Sequence, residues 1–175
     1  HYGAEYLNSN INYKGKGVDQ LQNVIDQLKD KETRNSRRII LNAWNPNQID
    51  EMALPPCHVM TQFIVKNDEL SVLLYQRSGD VGLGIPFNIA SYSFLAHILG
   101  KHCDLKPKEF IHFIGDAHIY EEHVEALQKQ IVKNPYHFPK INIKNKYENI
   151  EDYGLKDIEI TDYKYHDKIE MIMKE

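Results

Sequence analysis

Two stretches of this 175-residue chain carry side chains that can do chemistry. The first, Ala53-Leu54-Pro55-Pro56-Cys57-His58, sets a thiol directly behind two prolines. The second, Tyr75-Gln76-Arg77-Ser78-Gly79-Asp80, packs an amide, a guanidinium, a hydroxyl and a carboxylate together, and Pro86-Phe87-Asn88 follows after Gly82 and Gly84. A lone cysteine is most often a small buried hydrophobe, and Cys103, in a helix-end context, reads that way. Cys57 differs, because two prolines fix the backbone before it and a neighbouring cation would raise its thiolate fraction. On the residues alone, both readings of Cys57 stand. Arg77 beside Ser78 has the chemistry of a phosphate site, a forked guanidinium next to a hydroxyl. Asn88 either caps a helix or reads a pyrimidine edge, since an amide sets a donor beside an acceptor. Gly82-Leu83-Gly84 lacks the spacing of a nucleotide loop and reads as a tight strand-to-helix turn. His118 and Tyr120 alternate, so on a strand they share a face. No His, Cys, Asp or Glu cluster has the spacing of a zinc site, and no metal is expected.

The elements that must position these residues follow from periodicity. Residues 1–17 are rich in Tyr, Asn and Gly without a clear period and read as loop with room for a short strand. Val18, Leu21, Val24, Ile25 and Leu28 fall at helical spacing. Ile39 to Trp44 reads as a buried strand preceded by Arg37-Arg38, Asn45-Pro46-Asn47 as a turn, and Ile49 to Leu54 as a short helical segment stopped by Pro55-Pro56. Val59 to Val65 and Glu69 to Tyr75 form a hairpin around Asn67-Asp68, with a turn of two residues or more. Hairpin ends are close in space, so Cys57 and Arg77 become neighbours. A long, broadly buried helix follows Asn88 and ends near Gly100. Phe110 to Ile114 is a strand, and Val124, Leu127 and Ile131 mark a helix closed by Asn134-Pro135. Short strands are expected at Ile141–Ile143, Ile158–Ile160 and Ile169–Met173. Strands and helices mix without regular alternation, which predicts an α+β fold.

Composition narrows the class. The length suits one domain able to bury roughly 70% of its unfolded surface. With 25 acidic residues against 21 Lys and Arg, the net charge of −4 excludes a general polyanion binder. Two cysteines make no disulfide framework and point to a reducing, cytoplasmic compartment. No apolar run approaches the ~18 residues that span a bilayer. The chain opens at His1-Tyr2-Gly3-Ala4 without methionine, and the expectation is a piece of something longer.

Read jointly, the segments resemble thymidylate synthase, the folate-dependent enzyme that methylates dUMP. The matching text is His1-Tyr2-Gly3-Ala4, Ser36-Arg37-Arg38-Ile39-Ile40, Ala43-Trp44-Asn45, Met52 to His58, Tyr75-Gln76-Arg77-Ser78, Pro86 to Tyr92, and Gly115 to Tyr120, in order along essentially all 175 residues. The resemblance implies an α+β fold in which a mixed sheet forms a dimer interface with helices packed on it. It implies that Cys57 attacks carbon 6 of the uracil ring, with Arg77 and Ser78 holding the phosphate and Arg77 favouring the thiolate. Arg37 and Arg38 would reach the partner subunit's phosphate site. Gln76 would orient the site, Asn88 would bond the uracil edge, and His58 would support water near the base. His118 and Tyr120 would grip the sugar hydroxyl. Asp80 would bond the folate pterin, with Leu83, Gly84 and Phe87 beside it, and the residues around Met173 would close over the methylene-tetrahydrofolate. The general character is that of the protist form, in which this domain follows a dihydrofolate reductase.

Two departures stand out. Gly79 occupies a position where the family usually has Cys, and only a packing change is expected. The family's N-terminal segment does not precede His1, so the 175 residues read as the C-terminal portion of the domain. That segment carries a further phosphate-binding arginine, a proton-network glutamate and folate-lining tryptophans, and activity would need it. Two other functions fit parts of the sequence. A pyrimidine-nucleotide hydroxymethylase shares the fold and the cysteine, although Asn88 suits uracil better than cytosine. A non-catalytic RNA-binding or dimerising remnant is the other, although the acidic balance gives no footprint for RNA.

Overall fold

A computed structural model of the chain describes residues 18–173. The expected loop at residues 1–17, including the His1–Ala4 match, lies outside the described residues. Helix α1 (Gln20–Lys29) begins where Asp19 accepts a hydrogen bond from the Gln22 backbone N–H and buries Val24, Ile25 and Leu28. Val18 precedes the helix and is exposed, so the apolar stripe starts one turn later than its spacing predicts. Strand β1 (Ile40–Asn42) is shorter than the expected Ile39–Trp44. Single backbone bonds from Phe63 N to Ile39 O and from Ala43 N to Val59 O continue its pairing at either end. Next, the expected turn and helix merge into one 3-10 helix, Pro46–Glu51, with Pro46 in its first turn and Asn45 capping it.

The hairpin pairs β2 (His58–Lys66) with β3 (Glu69–Asp80). Its turn is two residues, and Asn67 and Asp68 both take positive φ, 54° and 58°. That is the type I′ geometry, which matches the strands' own twist, and Asn and Asp tolerate it well. β3 runs five residues past the expected end at Tyr75 because a second neighbour holds it. That neighbour is β4 (Lys106–His118), parallel to β3, with Gln76 opposite Ile114, Ser78 opposite Asp116 and Asp80 opposite His118. A parallel pair needs a crossover, and α2 (Gly84–His102) supplies it. The four strands form one mixed sheet in the order β1-β2-β3-β4.

Strand alternation sorts the faces. Phe63, Val65, Leu70, Val72 and Leu74 point into a core shared with α1 and with Tyr92, Ala96 and Leu99 of α2. Met60, Ile64, Tyr75 and Phe113 are exposed, and the pleat puts them on the opposite face. Helix α2 is less buried than expected, since Phe87 and Ile89 in its first turns are exposed. Helix α3 (Val124–Ile131) follows a 3-10 turn at Glu121–His123. A separate two-stranded sheet joins β5 (Lys140–Ile143) to β6 (Ile158–Thr161). The strand expected at Ile169–Met173 does not form; the segment is held by a side chain instead, as described below.

Gly115 marks where β3 and β4 come closest to the chemistry. A Cβ at this position would sit 2.9 Å from the Arg77 carbonyl oxygen and 3.2 Å from the Tyr75 hydroxyl. Backbone cannot yield as a side-chain tip can. Gly115→Ala should therefore destabilise the fold by about 1–3 kcal/mol, read as a lower urea midpoint; an unchanged midpoint would contradict the close approach.

Candidate functional site

The hairpin brings Cys57 and Arg77 together as the strand ends require. The Arg77 backbone N–H donates to the Cys57 carbonyl at 2.9 Å. Its guanidinium then reaches back along the same loop, Nε donating to Pro56 O at 3.1 Å and Nη2 to Pro55 O at 2.8 Å. Proline carbonyls accept but their nitrogens cannot donate, so the loop before Cys57 offers the arginine acceptors without competing donors. The Trp44 ring lies 6.0 Å from the guanidinium carbon. Cys57 itself is half-buried, whereas Cys103 is buried, and burial pushes the Cys103 thiol up to about 11. That thiol stays protonated and structural, as its sequence context suggests.

Beneath this loop runs a polar network inside the protein. His58 pairs with Gln76 across β2 and β3. Gln76 is buried, and its Nε2 donates to Ser78 O at 2.8 Å and to Asn88 Oδ1 at 2.9 Å. Its Oε1 lies 2.8 Å from His112 Nε2 on β4. The Tyr92 hydroxyl meets His58 Nδ1 at 3.2 Å, and the two rings pack edge to face. Burial lowers the His58 pKa, opposed by a hydrogen bond with Asn88. Burial, and then the charge of His58, lower that of His112. Asn88 is one turn inside α2 and does not cap it.

Asp80 does the capping. Its carboxylate accepts backbone N–H bonds from Gly82 (2.9 Å), Leu83 (3.0 Å) and Gly84 (3.3 Å). The Gly-rich segment is thus the tight strand-to-helix turn its spacing predicts, with Pro86 tolerated in the first helical turn. Burial would raise the Asp80 pKa, but these three donors and the nearby His123 outweigh it and hold the carboxyl below its ordinary range. A Cβ on Gly79 would lie 3.0 Å from Ile85 Cγ1, so a larger residue there would have to displace that packing side chain.

At the end of β4, the His118 and Tyr120 rings meet at 5.3 Å, nearly perpendicular. Tyr120 lies past the strand, so contact rather than shared strand alternation unites them. The row continues to His123, whose ring is 5.6 Å from Tyr120. His123 is completely buried. Its Nε2 bonds Ile172 O at 2.7 Å, and its Nδ1 lies 3.6 Å from Asp80 Oδ1. Gly82 makes this possible, because a Cβ there would be 2.6 Å from His123 Nδ1. The residues before Met173 are thereby bonded to His123, and Met173 itself is exposed. Sequence reasoning missed both His123 and His112. Each was one of nine scattered histidines, and only the β3–β4 pairing and the tail's path single them out.

Cys57, His58, Gln76, Arg77, Ser78 and Asn88 therefore gather at one end of the sheet, with Asp80, Leu83 and Gly84 in the adjoining turn. Arg37 and Arg38 do not join them. They precede β1, whose Ile40 pairs with Gln62, and a rise of ~3.3 Å per residue puts them on the order of 20 Å along the sheet from Cys57. A cavity of about 290 Å³ lies elsewhere. Leu21, Leu41, Leu95 and Ile98 help line it, and it shares only His58 and Tyr92 with the network.

Comparison with known proteins settles the lineage. The family model for thymidylate synthase matches residues 1–175. This chain belongs to the thymidylate synthase family. It is 53% identical to a bifunctional dihydrofolate reductase-thymidylate synthase of Paramecium tetraurelia, over 99% of this chain and 37% of that protein. It is 50% identical to the corresponding protein of Plasmodium chabaudi, over 99% of this chain and 29% of that protein. The thymidylate synthase of Homo sapiens is 51% identical, over 99% of this chain and 55% of that protein. The chain thus spans about a third of these fused relatives and just over half of the single-function one. Fused and single-function members resemble it equally, so identity alone does not tell the two arrangements apart.

Half-buried and buried histidines give the fold a pH signature. His58, His102 and His112 all titrate below the ordinary 6.5, in each case chiefly through burial. The unfolded chain then binds more protons than the folded one once pH drops to this range, so stability rises with pH there. Urea midpoints should fall as pH is lowered through about 6.5. The depressed Asp80 carboxyl adds a separate loss only at more acidic pH. A flat or inverted profile between neutral and mildly acidic pH would contradict the burial of these rings.

Proposed function

We propose that this chain carries the nucleophile-bearing part of an enzyme that converts dUMP and methylene-tetrahydrofolate to dTMP and dihydrofolate. The observation that carries the reading is the Arg77 clamp: one arginine binds the two carbonyls before Cys57 while sharing a strand with Gln76 and Ser78. Arg77 has five N–H donors, and those not spent on Pro55 and Pro56 remain for a phosphate, with Ser78 the next residue on the strand. In the reaction, the Cys57 sulfur forms a bond to carbon 6 of the uracil ring, and the electron pair displaced makes carbon 5 a nucleophile. Carbon 5 takes the one-carbon unit and loses its proton, and the bond from that unit to the folate nitrogen breaks with its electron pair leaving on the nitrogen. Hydride from the folate reduces that unit to methyl, and the Cys57 bond to carbon 6 breaks. Covalent attachment splits one difficult substitution into easier steps.

The remaining residues take supporting roles. Asn88 bonds the uracil edge, Gln76 orients Asn88, and His58 steadies water near the base. His118 and Tyr120 hold the sugar hydroxyl. Asp80, with Leu83, Gly84 and the exposed ring of Phe87, meets the pterin, and the tail at Met173 closes over it. The exposed apolar residues Met60, Ile64, Tyr75 and Phe113 favour a homodimer through the outer sheet face. In that dimer, Arg37 and Arg38, too far from their own Cys57, serve the partner's phosphate. A reductase fused to or associated with the chain would recycle dihydrofolate, a reading supported by the fused relatives. A reducing, cytoplasmic compartment would keep Cys57 a thiol.

In the full natural chain, Cys57→Ala should abolish turnover while leaving dUMP binding within about tenfold of wild type, since the bond is made only as the reaction proceeds. Steady-state kinetics and calorimetric titration check the two halves. Retained turnover would overturn the mechanism.

A further inference from the structure

The amide of Gln76 is fixed in one orientation by partners that have no choice. Ser78 O is a backbone carbonyl and can only accept, so the Gln76 nitrogen must face it. The same nitrogen faces Asn88, so the Asn88 atom turned toward it must be the oxygen. The Gln76 oxygen is left facing His112 Nε2 at 2.8 Å, and that nitrogen must carry a hydrogen. Gln76 is only 2% exposed, so no solvent can replace a lost partner. His112 is placed by β4, opposite Leu74 and packed against the Phe110 ring at 5.2 Å. Donors and acceptors therefore run in a forced order from His112 through Gln76 to Asn88.

We propose that His112 is a positioning residue for base choice: by donating to Gln76 it locks the Asn88 amide with its oxygen inward and its amino group presented to the nucleotide. The inference rests on reading this as a uracil-nucleotide site. Uracil offers an acceptor oxygen at carbon 4 beside an N–H, which an amide in this orientation meets with its amino group and its second lone pair. Cytosine offers an amino group beside a bare nitrogen and needs the amide turned over. Turning Asn88 over would set its amino group against the Gln76 amino group. Turning Gln76 to relieve that would set its oxygen against Ser78 O and its amino group against the His112 N–H. His112 thus raises the cost of accepting the wrong base without touching it.

The test measures dUMP and dCMP binding by calorimetry to the full natural chain, and to its His112→Leu and His112→Gln variants. Loss of one buried hydrogen bond should cut the preference for dUMP by about tenfold in His112→Leu. His112→Gln, which still offers an N–H, should keep most of it. Preference retained within about twofold in His112→Leu, or lost equally in His112→Gln, overturns the proposal. A measurement on the wild-type protein needs no variant to fold: nitrogen NMR should show His112 protonated at Nε2, and a bare Nε2 overturns the relay. The two readings fail separately. If Cys57 supports no turnover but His112→Leu still collapses a dUMP preference, the relay stands and the enzyme reading falls. If turnover is intact and the preference survives His112→Leu, the relay falls alone. Binding of neither nucleotide by the wild type overturns both.

Discussion

The bond set of Arg77 is what the rest of the site depends on. Its backbone closes the hairpin end onto Cys57, and its side chain takes the carbonyls of Pro55 and Pro56. One residue thereby holds the cysteine loop against the end of β3. It can do so because β3 is held on both sides, antiparallel to β2 and parallel to β4. An edge strand would fray where β3 instead carries Gln76, Arg77, Ser78 and Asp80 in succession. The parallel pairing in turn demands the crossover helix α2, whose first turns deliver Asn88 to Gln76 and receive the Asp80 cap.

Polar groups in this region are connected rather than scattered. A buried amide costs free energy when its polar atoms go unpaired, and both polar atoms of Gln76 are paired, with Ser78, Asn88 and His112. His123, near the same end of β3, is satisfied on one side only: its Nε2 bonds the Ile172 carbonyl, while its buried Nδ1, 3.6 Å from Asp80 Oδ1, makes no hydrogen bond. Both histidines sit where a small shift would be felt by residues that face the proposed ligands. Stability and chemistry therefore share the same hydrogen bonds here, and substitutions should rarely affect one alone.

Much of this was legible from residue order. Alternation gave the hairpin, and the hairpin alone made Cys57 and Arg77 neighbours. Family resemblance then named roles that no single motif carries. Other features were not legible because they depend on non-local pairing. β3 continues to Asp80 only because β4 lies beside it, which no pattern in Gln76 to Asp80 reveals. Asn88 by type could cap the helix or read a base edge, and only the fold shows that Asp80 takes the N–H groups of that turn. The Ile169–Met173 segment alternates like a strand, yet its carbonyl at Ile172 is taken by a histidine about fifty residues earlier. His112 and His123 carry no local signal of their importance, since their partners come from distant parts of the chain.

The central claim is that Cys57 is a nucleophile toward a pyrimidine nucleotide, and intact mass spectrometry tests it most directly. The full natural chain would be incubated with 5-fluoro-dUMP and methylene-tetrahydrofolate. Fluorine cannot leave carbon 5 as a proton does, so the covalent intermediate should persist. The account predicts a mass increase equal to nucleotide plus folate, mapped to the peptide that contains Cys57. An unmodified chain, or an adduct on any other residue, would contradict it.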